Sequence, residues 1–529
     1  MTTLVTSRYR ANGTHEKTLG AVYTPVRAAT AMVSWAVRNA EDRVLDPSCG
    51  DGVFLSAARE RLRRLGTRRP HCIGVDIDPV AAAKAGATCA DFFVWARTAG
   101  KFDVIVGNPP FVRSHLFPED GRRSAFEQMR QMGLHPSRLM STWVPFLALS
   151  CALLQENGRI GMVIPEELLH VGYAHELRQF LLGRFRRVIV CFPNADLFPS
   201  VQQAVVLLLC DNEDGPPGLQ TTHIGELESG RPLRTTPAPP WTWFHKWTHL
   251  FLSNNERTVV SSAFAELGWR PLADYGRAEV GVVTGDNGFF ILPQAAAQRL
   301  GAPGFLTPII SSARDLQGIS LNSSDFRDLL NRGRPCFLVD TSAPKSNLPA
   351  ELRQHIDWGE RKGTHLRYKC RIRQPWYAVP GVWPADALML RQAGDVPRLV
   401  HLAKVCTSTD TIHRIRWHRA AHSKTHVAGF MNTWTLIACE LMGRSYGGGV
   451  LELMPREANG IPLPPPLQRL QTAFDNVDAL VRKRRLQQAI EVVDGIVKPS
   501  SVSTSQYESA RQILLKLVAR RKNKRNGTC

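Results

Sequence analysis

The tetrapeptide Asn108-Pro109-Pro110-Phe111 contains the residue types that can activate a weakly nucleophilic amine. An amino group attached to a heteroaromatic ring reacts poorly, because its lone pair is delocalised into the ring. Two acceptors, the Asn108 side-chain oxygen and the Pro109 backbone carbonyl, can bind its hydrogens and favour a pyramidal nitrogen. The prolines restrict the backbone that presents the carbonyl, and Phe111 can stack on the target ring. Such catalysis requires neither a metal nor a covalent intermediate.

A glycine-containing cluster at residues 46–52 (Asp-Pro-Ser-Cys-Gly-Asp-Gly) precedes the tetrapeptide and is predicted to bind a second ligand. It lies between a short apolar run and an amphipathic helical pattern. Glycine lets the backbone turn tightly and approach a ligand closely, and the free N–H groups at the start of the helix face the same ligand. The residues predicted to border it are Asp46, Pro47, Gly50 and Gly52.

Two acidic positions follow further along the chain. Asp76 ends an apolar run, where a carboxylate can accept hydrogen bonds from ribose hydroxyls. Asp91 can hydrogen-bond an adenine amino group, and the adjacent Phe92 can pack on the adenine ring. Asp78 is better explained as a turn residue or a helix cap. These positions predict a ligand that contains a nucleoside.

Short apolar runs alternate with helical patterns from about residue 20 to 210, which predicts a parallel, doubly wound α/β sheet. The clusters then fall at consecutive strand ends, where ligands bind in such sheets. This order favours a binding site over the ordinary turns and loops that each cluster would suit alone. The predicted strands are 43–45, 71–75, 102–106, 159–164, 188–192 and 204–209. The predicted helices are 24–39, 53–65, 140–155 and 173–185, with Thr24 as the first N-cap and Asn157-Gly158 as a helix stop.

Composition and segment boundaries predict three parts. Residues 1–240 form the α/β domain, 241–466 a mixed α/β domain after Pro-rich segments, and 467–529 a helical segment with a basic tail. The net charge of +20 indicates a polyanionic partner such as nucleic acid. No apolar run approaches the ~20 residues of a membrane span. The scattered cysteines, without a Cys-x-x-Cys pair, suit the reduced thiols of a cytoplasmic protein.

With the clusters in this order, the chain resembles the DNA amino-methyltransferases in which cofactor motifs come first and the target-recognition domain last, the arrangement of the TaqI methylase type. The resemblance covers about residues 20–210 and is weaker near Gly281–Phe290 and Gly443–Pro466. It implies a seven-stranded class I fold that uses S-adenosyl-L-methionine. It also implies transfer to N6 of an adenine flipped out of double-stranded DNA. The expected role is the modification half of a type II restriction–modification system, with a separate restriction endonuclease as partner.

The resemblance also assigns residues. Tyr23 and Thr24 belong to a motif near the methionine end of the cofactor, which the glycine cluster would also border. Asp76 would bind the ribose, and Asp91 with Phe92 the cofactor adenine. Residues 108–111 match the catalytic motif, and Phe198 matches a second aromatic residue that contacts the flipped base. Ser48-Cys49 departs from the residues that the family often has before the glycines.

Several alternatives stay open at this stage. The target amine could belong to cytosine N4, to RNA or to a protein glutamine, and a DNA-binding module without activity is a further alternative. Cys336 follows a proline as a cytosine-C5 nucleophile would, but a buried thiol is favoured. His418, His422 and His426 have helical spacing, for which a basic DNA-facing stretch is favoured over a metal site. The basic run 361–373 suits phosphate contacts and a solvated face equally.

Overall fold

The computed structural model describes residues 24–112, 118–194, 197–198, 204–241, 245–446, 449–499 and 502–523. Tyr23 lies outside the described residues. The described chain divides into two compact units, one with the residues up to Asn254 and the other from Asn255 to Lys522. None of the described helices is long and apolar enough to cross a membrane.

A mixed sheet of nine strands forms the centre of the first unit. Its strands are β1 (Val44–Asp46), β2 (Cys72–Asp76), β3 (Thr88–Cys89), β4 (Phe102–Gly107), β5 (Leu154–Pro165), β6 (Arg187–Phe192), β7 (Val205–Asp211), β8 (Gly218–His223) and β9 (Thr236–Pro237). Their order across the sheet is β3-β2-β1-β4-β5-β7-β6-β8-β9. Seven strands were expected, and β8 and β9 are additional strands beyond β6 at one edge.

The direction of the chain reverses at the centre of this sheet. From β1 it proceeds through β2 to β3 on one side, and β4 then pairs with β1 on the other side. All these pairs are parallel, as is β4 with β5, whereas β7 is antiparallel to both β5 and β6. The gap between the carboxyl ends of β1 and β4 is therefore the topological switch point, where open α/β sheets bind ligands.

Helices cover both faces of the sheet. They are α1 (Val26–Ala36), α2 (Val53–Arg64), α3 (Pro79–Ala85), α4 (Phe92–Trp95), α5 (Glu119–Gln131), α6 (Trp143–Leu153), α7 (His175–Arg184) and α8 (Ile224–Glu228). Met32 of α1 and Phe54 of α2 belong to the apolar cluster on one face. Phe92 of α4 and Trp143 of α6 belong to the cluster on the other face. All three residues of β1 are buried, because the strand is covered on both sides.

Two predicted helix starts are wrong, and the site explains both. Pro25, not Thr24, is the N-cap of α1, because the Thr24 hydroxyl accepts a hydrogen bond from Asn108. The helix predicted over 140–155 spans Trp143–Leu153, because Thr142 bonds the chain after β4. The predicted stop at Asn157-Gly158 is also wrong, since these residues lie inside β5 where its pairing with β4 is irregular.

Several smaller sheets make up the second unit. The strands of this unit are β10 (Arg270–Pro271), β11 (Gly276–Val280), β12 (Ile291–Leu292), β13 (Leu306–Ile310), β14 (Ser320–Leu321), β15 (Phe337–Val339), β16 (Ala387–Leu390), β17 (Gln392–Ala393), β18 (Leu399–Leu402), β19 (Thr407–Ser408), β20 (Ile412–Trp417), β21 (Arg444–Tyr446), β22 (Val450–Glu452) and β23 (Pro462–Leu463). The largest sheet has the order β11-β20-β16-β18-β14. A second sheet has the order β12-β15-β13-β19. The mixed α/β content agrees with the expectation for this half of the chain.

The helices of this half complete the fold. They are α9 (Asn254–Leu267), α10 (Asn287–Phe290), α11 (Gln294–Leu300), α12 (Ser323–Asn331), α13 (Ala350–Arg361), α14 (Tyr368–Arg371), α15 (Ser423–Gly429), α16 (Thr433–Met442), α17 (Pro455–Gly460), α18 (Gln468–Arg482), α19 (Leu486–Val497) and α20 (Thr504–Asn523). Helices α18 to α20 account for the helical segment predicted after residue 467.

A buried ion pair holds the end of α20. The Arg521 guanidinium donates to the Glu440 carboxylate of α16 at 2.9 Å, and both side chains are almost fully buried. The same guanidinium donates to the carbonyls of Gly394 at 3.0 Å and Asp395 at 2.7 Å. A buried charge is tolerated when its hydrogen-bonding groups are satisfied in this way. The basic tail is therefore anchored as far as Arg521.

Replacing Arg521 with methionine should destabilise the second unit by about 3 kcal/mol, because it leaves the Glu440 carboxyl buried without its partner. The adjacent Lys522 makes an exposed ion pair with Asp395. Lys522→Met should therefore cost less than about 1 kcal/mol. Urea denaturation of the two variants measures the difference, and equal losses of stability would contradict the anchoring role.

Candidate active site

Asp46 and Asn108 stand at the ends of the two neighbouring strands that flank the switch point. Asp46 is the last residue of β1, and Asn108 directly follows β4. Parallel neighbours lie about 4.8 Å apart, and the register pairs Leu45 with Ile105. The acidic residue of the glycine cluster and the amide of the tetrapeptide are therefore brought together, as the sequence predicted.

The Asn108 side chain is oriented by its neighbours. Its Nδ2 atom donates a hydrogen bond to the Thr24 hydroxyl at 3.1 Å. Its backbone carbonyl accepts a hydrogen bond from the Ser48 hydroxyl at 3.1 Å. With Nδ2 bonded to Thr24, Oδ1 is the acceptor end of the amide.

The Asp46 carboxyl packs directly on the end of β4. A Cβ atom at Gly107 would lie 2.6 Å from Asp46 Oδ1, which is closer than real contacts allow. Only glycine at position 107 therefore lets the two strand ends carry these groups side by side. The Ser48 backbone N–H donates to Asp46 Oδ1 at 3.2 Å. Asp46 Oδ2 is buried and has no hydrogen-bond partner among the described residues.

Burial raises the pKa of Asp46 to about 8, and the neighbouring carboxylates Asp76 and Asp51 act in the same direction. The hydrogen bond from Ser48 acts against this shift. A carboxyl group with an unused acceptor atom in such a position favours a cationic ligand, because a nearby positive charge stabilises its ionised form.

The glycine cluster wraps around Asp76. The Gly50 N–H donates to Asp76 Oδ2 at 2.8 Å, and the Asp78 N–H donates to Asp76 Oδ1 at 2.9 Å. Gly50 and Gly52 have φ angles of 51° and 86°, which side chains rarely adopt. Gly52 is the N-cap of α2 and supplies no side-chain cap, so the first N–H groups of α2 face the loop. Asp78 caps α3, as predicted.

Asp91 is half-buried, whereas the adjacent Phe92 lies deeper. The Asp91 side chain caps α4 by accepting from the Phe93 N–H at 2.8 Å. Gly121 of α5 lies over the carboxylate, since a Cβ there would be 2.2 Å from Asp91 Oδ2. Phe92 is 3% exposed and stacks on Phe146 with ring centroids 5.1 Å apart. The structure thus places Phe92 in the core between α4 and α6.

The remaining residues of the tetrapeptide line the same sheet edge. Pro109 is buried, whereas Pro110 and Phe111 are half-buried. Phe111 packs against both apolar clusters of the first unit. Phe198 is also half-buried and packs against the cluster that contains α1 and α2.

A polar clamp that the sequence did not reveal fixes the chain after Pro109. The Thr142 hydroxyl donates to the Pro110 carbonyl at 2.5 Å and accepts from the Val112 N–H at 3.1 Å. The Thr142 N–H and the Ser141 hydroxyl both donate to the Val112 carbonyl, at 2.9 and 3.0 Å. Ser48 and Gly107 were missed in the same way. Only Gly107 had a signal, as a small residue beside the motif.

Cys336 and the three histidines of the second unit do not form a site. Cys336 is buried, as predicted. His418 follows β20 and does not share a helix with His422 and His426, so the helical spacing is not realised. The His426 ring packs on Trp417 and Tyr275, with centroids 4.7 Å away in both cases. No group of three or more potential metal ligands occurs within the described part of the chain.

The predicted DNA-facing stretch around these histidines is wrong in part. Arg414 is 5% exposed and donates to the carbonyls of Gly381 and Val280. Burial lowers the pKa of His426 to about 4. Arg416 and Arg419 remain exposed. β20 is a central strand of its sheet and is buried at five of its six residues, which a helical interpretation cannot anticipate.

Both halves of the chain match families of modification enzymes. Residues 67–198 match the family model of the Eco57I restriction-modification methylase, and residues 244–498 match that of the type II methyltransferase M.Eco57I, C-terminal domain. The chain is a relative of the type II methyltransferases. This relationship supports a DNA methyltransferase of the restriction–modification type.

Individual relatives cover most of the chain. Type II methyltransferase M.XamI of Xanthomonas campestris pv. amaranthicola is 25% identical over 477 residues, 84% of this chain and 85% of that protein. Type II methyltransferase M.AccI of Acinetobacter calcoaceticus is 22% identical over 399 residues, 70% of this chain and 71% of that protein. The solved structure of the type IIL restriction-modification enzyme MmeI in complex with DNA is 13% identical. It aligns with 94% of this chain and 72% of its own at a TM-score of 0.49.

Replacing Thr142 with valine should lower the rate of methyl transfer about 10- to 100-fold, because the tetrapeptide loses the clamp on Pro110 and Val112 while side-chain shape is kept. Thr142→Ser retains the hydroxyl and should recover most of the rate. Cofactor affinity, measured by calorimetry, should change little in either variant. A valine variant with unchanged turnover, or one whose only defect is cofactor binding, would contradict the clamp.

Replacing Asp46 with asparagine should change how stability depends on pH. The pKa of Asp46 is about 8 in the folded chain, against about 3.9 in an unfolded one. The folded state therefore retains a proton that the unfolded state releases, and the wild type loses stability as pH rises from about 4 to about 8. Asp46→Asn removes this loss. The variant should gain melting temperature relative to wild type across that window, with no further gain above it.

Thermal unfolding followed by circular dichroism at several pH values measures this gain. Glu41→Gln is a suitable control, because Glu41 is an exposed carboxylate outside the glycine cluster. A melting-temperature difference for Asp46→Asn that stays constant from pH 5 to pH 8 would show that Asp46 is already ionised in the folded protein.

Proposed function

We propose that this chain transfers a methyl group from S-adenosyl-L-methionine to N6 of an adenine flipped out of double-stranded DNA. The observation that carries the proposal is the placement of Asn108, with its amide oriented by Thr24, beside the buried Asp46 carboxyl at the switch point of the sheet. The matches to modification methylases in both halves of the chain support it.

The residues around the switch point fit the proposed cofactor. Asp46 Oδ2 is a buried acceptor without a partner among the described residues, which suits the cationic methionine end. Gly50 and Gly52 lack side chains, so the backbone next to Pro47 can approach a ligand closely. The first N–H groups of α2 face the same loop. When bound, the cofactor supplies an electrophilic methyl group on a sulfonium centre. Asp76 would hold the ribose with the lone pairs that Gly50 and Asp78 leave unused.

The chain's own groups prepare the amine. Asn108 Oδ1 and the Pro109 carbonyl accept hydrogen bonds from its two hydrogens, which returns the lone pair to nitrogen. Thr24 keeps the acceptor end of Asn108 directed towards the base, and the Thr142 clamp holds the segment that carries Phe111. Phe111 and Phe198 would stack on the extruded base. Asp91, half-buried at the start of α4, would contact the cofactor adenine.

Duplex DNA is the proposed substrate. A net charge of +20 favours a polyanion, and the target atom must leave the stacked duplex to reach a buried site. The part from about residue 241 to 466 is proposed to recognise the DNA sequence. Because residues 67–198 match the model of a restriction-modification methylase, a separate endonuclease with the same recognition site is the proposed partner.

Cytosine N4 is the second candidate, because its amine has the same chemistry. Asn108 favours adenine, since the resemblance suggests Ser or Asp at this position in N4-cytosine enzymes. Digestion of methylated DNA to nucleosides, followed by mass spectrometry, identifies the product. Parallel assays with tRNA and protein substrates test the RNA and protein alternatives. Single-molecule sequencing of DNA from a methylation-free host that expresses the chain reports base, position and motif together.

Asn108→Ala should abolish methyl transfer and leave cofactor affinity within about twofold of wild type, because the asparagine orients the target amine rather than the cofactor. Labelled-methyl incorporation into unmethylated plasmid and calorimetric titration with S-adenosyl-L-methionine measure the two effects. Asp76→Ala is the matched control and should mainly weaken cofactor binding. Near-normal turnover of Asn108→Ala would overturn the catalytic assignment, and failure of the wild type to bind the cofactor would overturn the proposed function.

A further inference from the structure

One exposed segment of the second unit combines cations with apolar side chains. It spans residues 358–373, from the last turn of α13 through α14, and we call it the basic–aromatic segment. It contains six Lys and Arg residues against one carboxylate, Glu360. Four of the seven large exposed apolar side chains described in the second unit lie in it: Trp358, Leu366, Tyr368 and Ile372, which are 41%, 67%, 62% and 60% exposed. Such clustering marks a binding surface rather than a solvated face.

The carboxylates near this segment are already paired. Asp357 and Glu360 both bind Lys345, and Asp286 binds Arg367 at 3.2 Å. Arg361, Lys362, Lys369 and Arg371 are exposed and face solvent. The surface therefore presents a surplus of positive charge, which favours a polyanionic partner over an acidic or apolar face of another protein.

Aromatic rings and cations are interleaved on this surface. The Tyr368 ring is flanked by Lys369 Nζ at 5.5 Å and by the Arg371 guanidinium at 5.6 Å from its centroid. Lys362 Nζ lies 4.8 Å from the centroid of Trp358. An exposed ring with cations beside it suits nucleic acid, because the ring can contact a base or sugar while the cations bind the flanking phosphates.

The segment is held in place by the Gly281–Phe290 stretch, which the sequence singled out without a role. Arg373 donates to the carbonyls of Val283 at 2.6 Å and Thr284 at 2.8 Å. A Cβ atom at Gly285 would lie 3.0 Å from the Cβ of Lys369, so only glycine allows this approach. Such support presents the exposed side chains on a fixed backbone, which reduces the entropy lost on binding.

A stack of rings supports the other end of the segment. Phe289 stacks on His355, with centroids 4.4 Å apart, and on Trp358 at 5.9 Å. A Cβ atom at Gly359 would lie 2.5 Å from the Phe289 ring, so helix and ring are in close contact. Trp358 is therefore fixed by its stack on Phe289 and remains 41% exposed.

We propose that the basic–aromatic segment is a DNA-contact surface, in which Lys362, Lys369 and Arg371 bind phosphates while Leu366, Tyr368 and Ile372 contact bases or sugars in a groove. Apolar side chains in this role are characteristic of proteins that unstack or bend the duplex. This inference rests on the proposed function, since the partner of the surface is the proposed DNA substrate. It also gives the Gly281–Phe290 stretch a role as the support of that surface.

The test uses the full chain and two double variants. Lys369→Gln with Arg371→Gln removes the charge, and Leu366→Ser with Tyr368→Ser removes the apolar contacts. Arg299→Gln with Arg327→Gln is the control, because these exposed cations lie outside the segment on α11 and α12. Fluorescence anisotropy of a fluorescein-labelled duplex of random sequence is measured across a range of salt concentrations, with circular dichroism to verify folding.

The charge variant should bind the duplex at least about tenfold more weakly and reduce the slope of log K against log salt by about 2, since each phosphate contact contributes ~0.9. The apolar variant should also lose about tenfold in affinity but keep the wild-type slope, because stacking releases no counterions. Tyr368→Phe alone should bind like wild type. The control should change affinity by less than about threefold and the slope by less than the charge variant does.

Four results would overturn the proposal. In the first, folded segment variants bind the duplex as tightly as wild type. In the second, the control loses as much affinity as the charge variant. In the third, the wild type self-associates in sedimentation and the apolar variant is monomeric, which would assign the surface to a second copy of this chain. In the fourth, the wild type neither binds duplex DNA nor methylates unmethylated plasmid, and the proposed function then fails as well. If the wild type methylates DNA normally and the segment variants bind the duplex as it does, only the proposal for this surface fails and the proposed function stands.

Discussion

The contact between the Asp46 carboxyl and the end of β4 determines the geometry of the candidate site. Gly107 has no side chain, so Asp46 Oδ1 can lie 2.6 Å from the position that a Cβ would occupy. The group that faces the proposed cofactor and the amide that faces the proposed base are thereby placed one strand spacing apart. Desolvation of Asp46 is the cost of this arrangement and raises its pKa to about 8. A buried, partly unsatisfied acid is unfavourable for folding but suits a cationic ligand.

The tetrapeptide after β4 depends on side chains from three other segments. Thr24 precedes α1, Ser48 lies in the glycine cluster, and Thr142 precedes α6. Each of them uses a hydroxyl that could otherwise cap a helix or face solvent, and each bonds Asn108 or its neighbours. A strand end alone would leave the following loop mobile, since its backbone groups have no sheet partners. The hydroxyl contacts supply those partners and preorganise the loop.

Strand positions were predictable because a strand that is buried on both faces consists of consecutive apolar residues. The strands at 44–46, 102–107 and 205–211 are buried at nearly every residue, and each was predicted to within two residues. Helix starts were less predictable. Thr24 and Thr142 have the side chain of a capping residue, but tertiary partners far along the chain use their hydroxyls. The helical spacing of three histidines was misleading in the same way, because His418 lies in the bend after β20 and not on the helix that contains His426.

The sequence by itself determined the chemical inventory of this protein and its order along the chain. The glycine cluster, Asp76 and the Asn-Pro-Pro-Phe tetrapeptide could be read as ligand-binding positions, because residue type and strand-end position are local properties. Only the tertiary structure decided which groups are shared between segments. It turned Thr24 towards Asn108, placed Phe92 in the core and set Thr142 as a clamp, because hydrogen bonds and packing between distant segments leave no periodic signal in a single sequence.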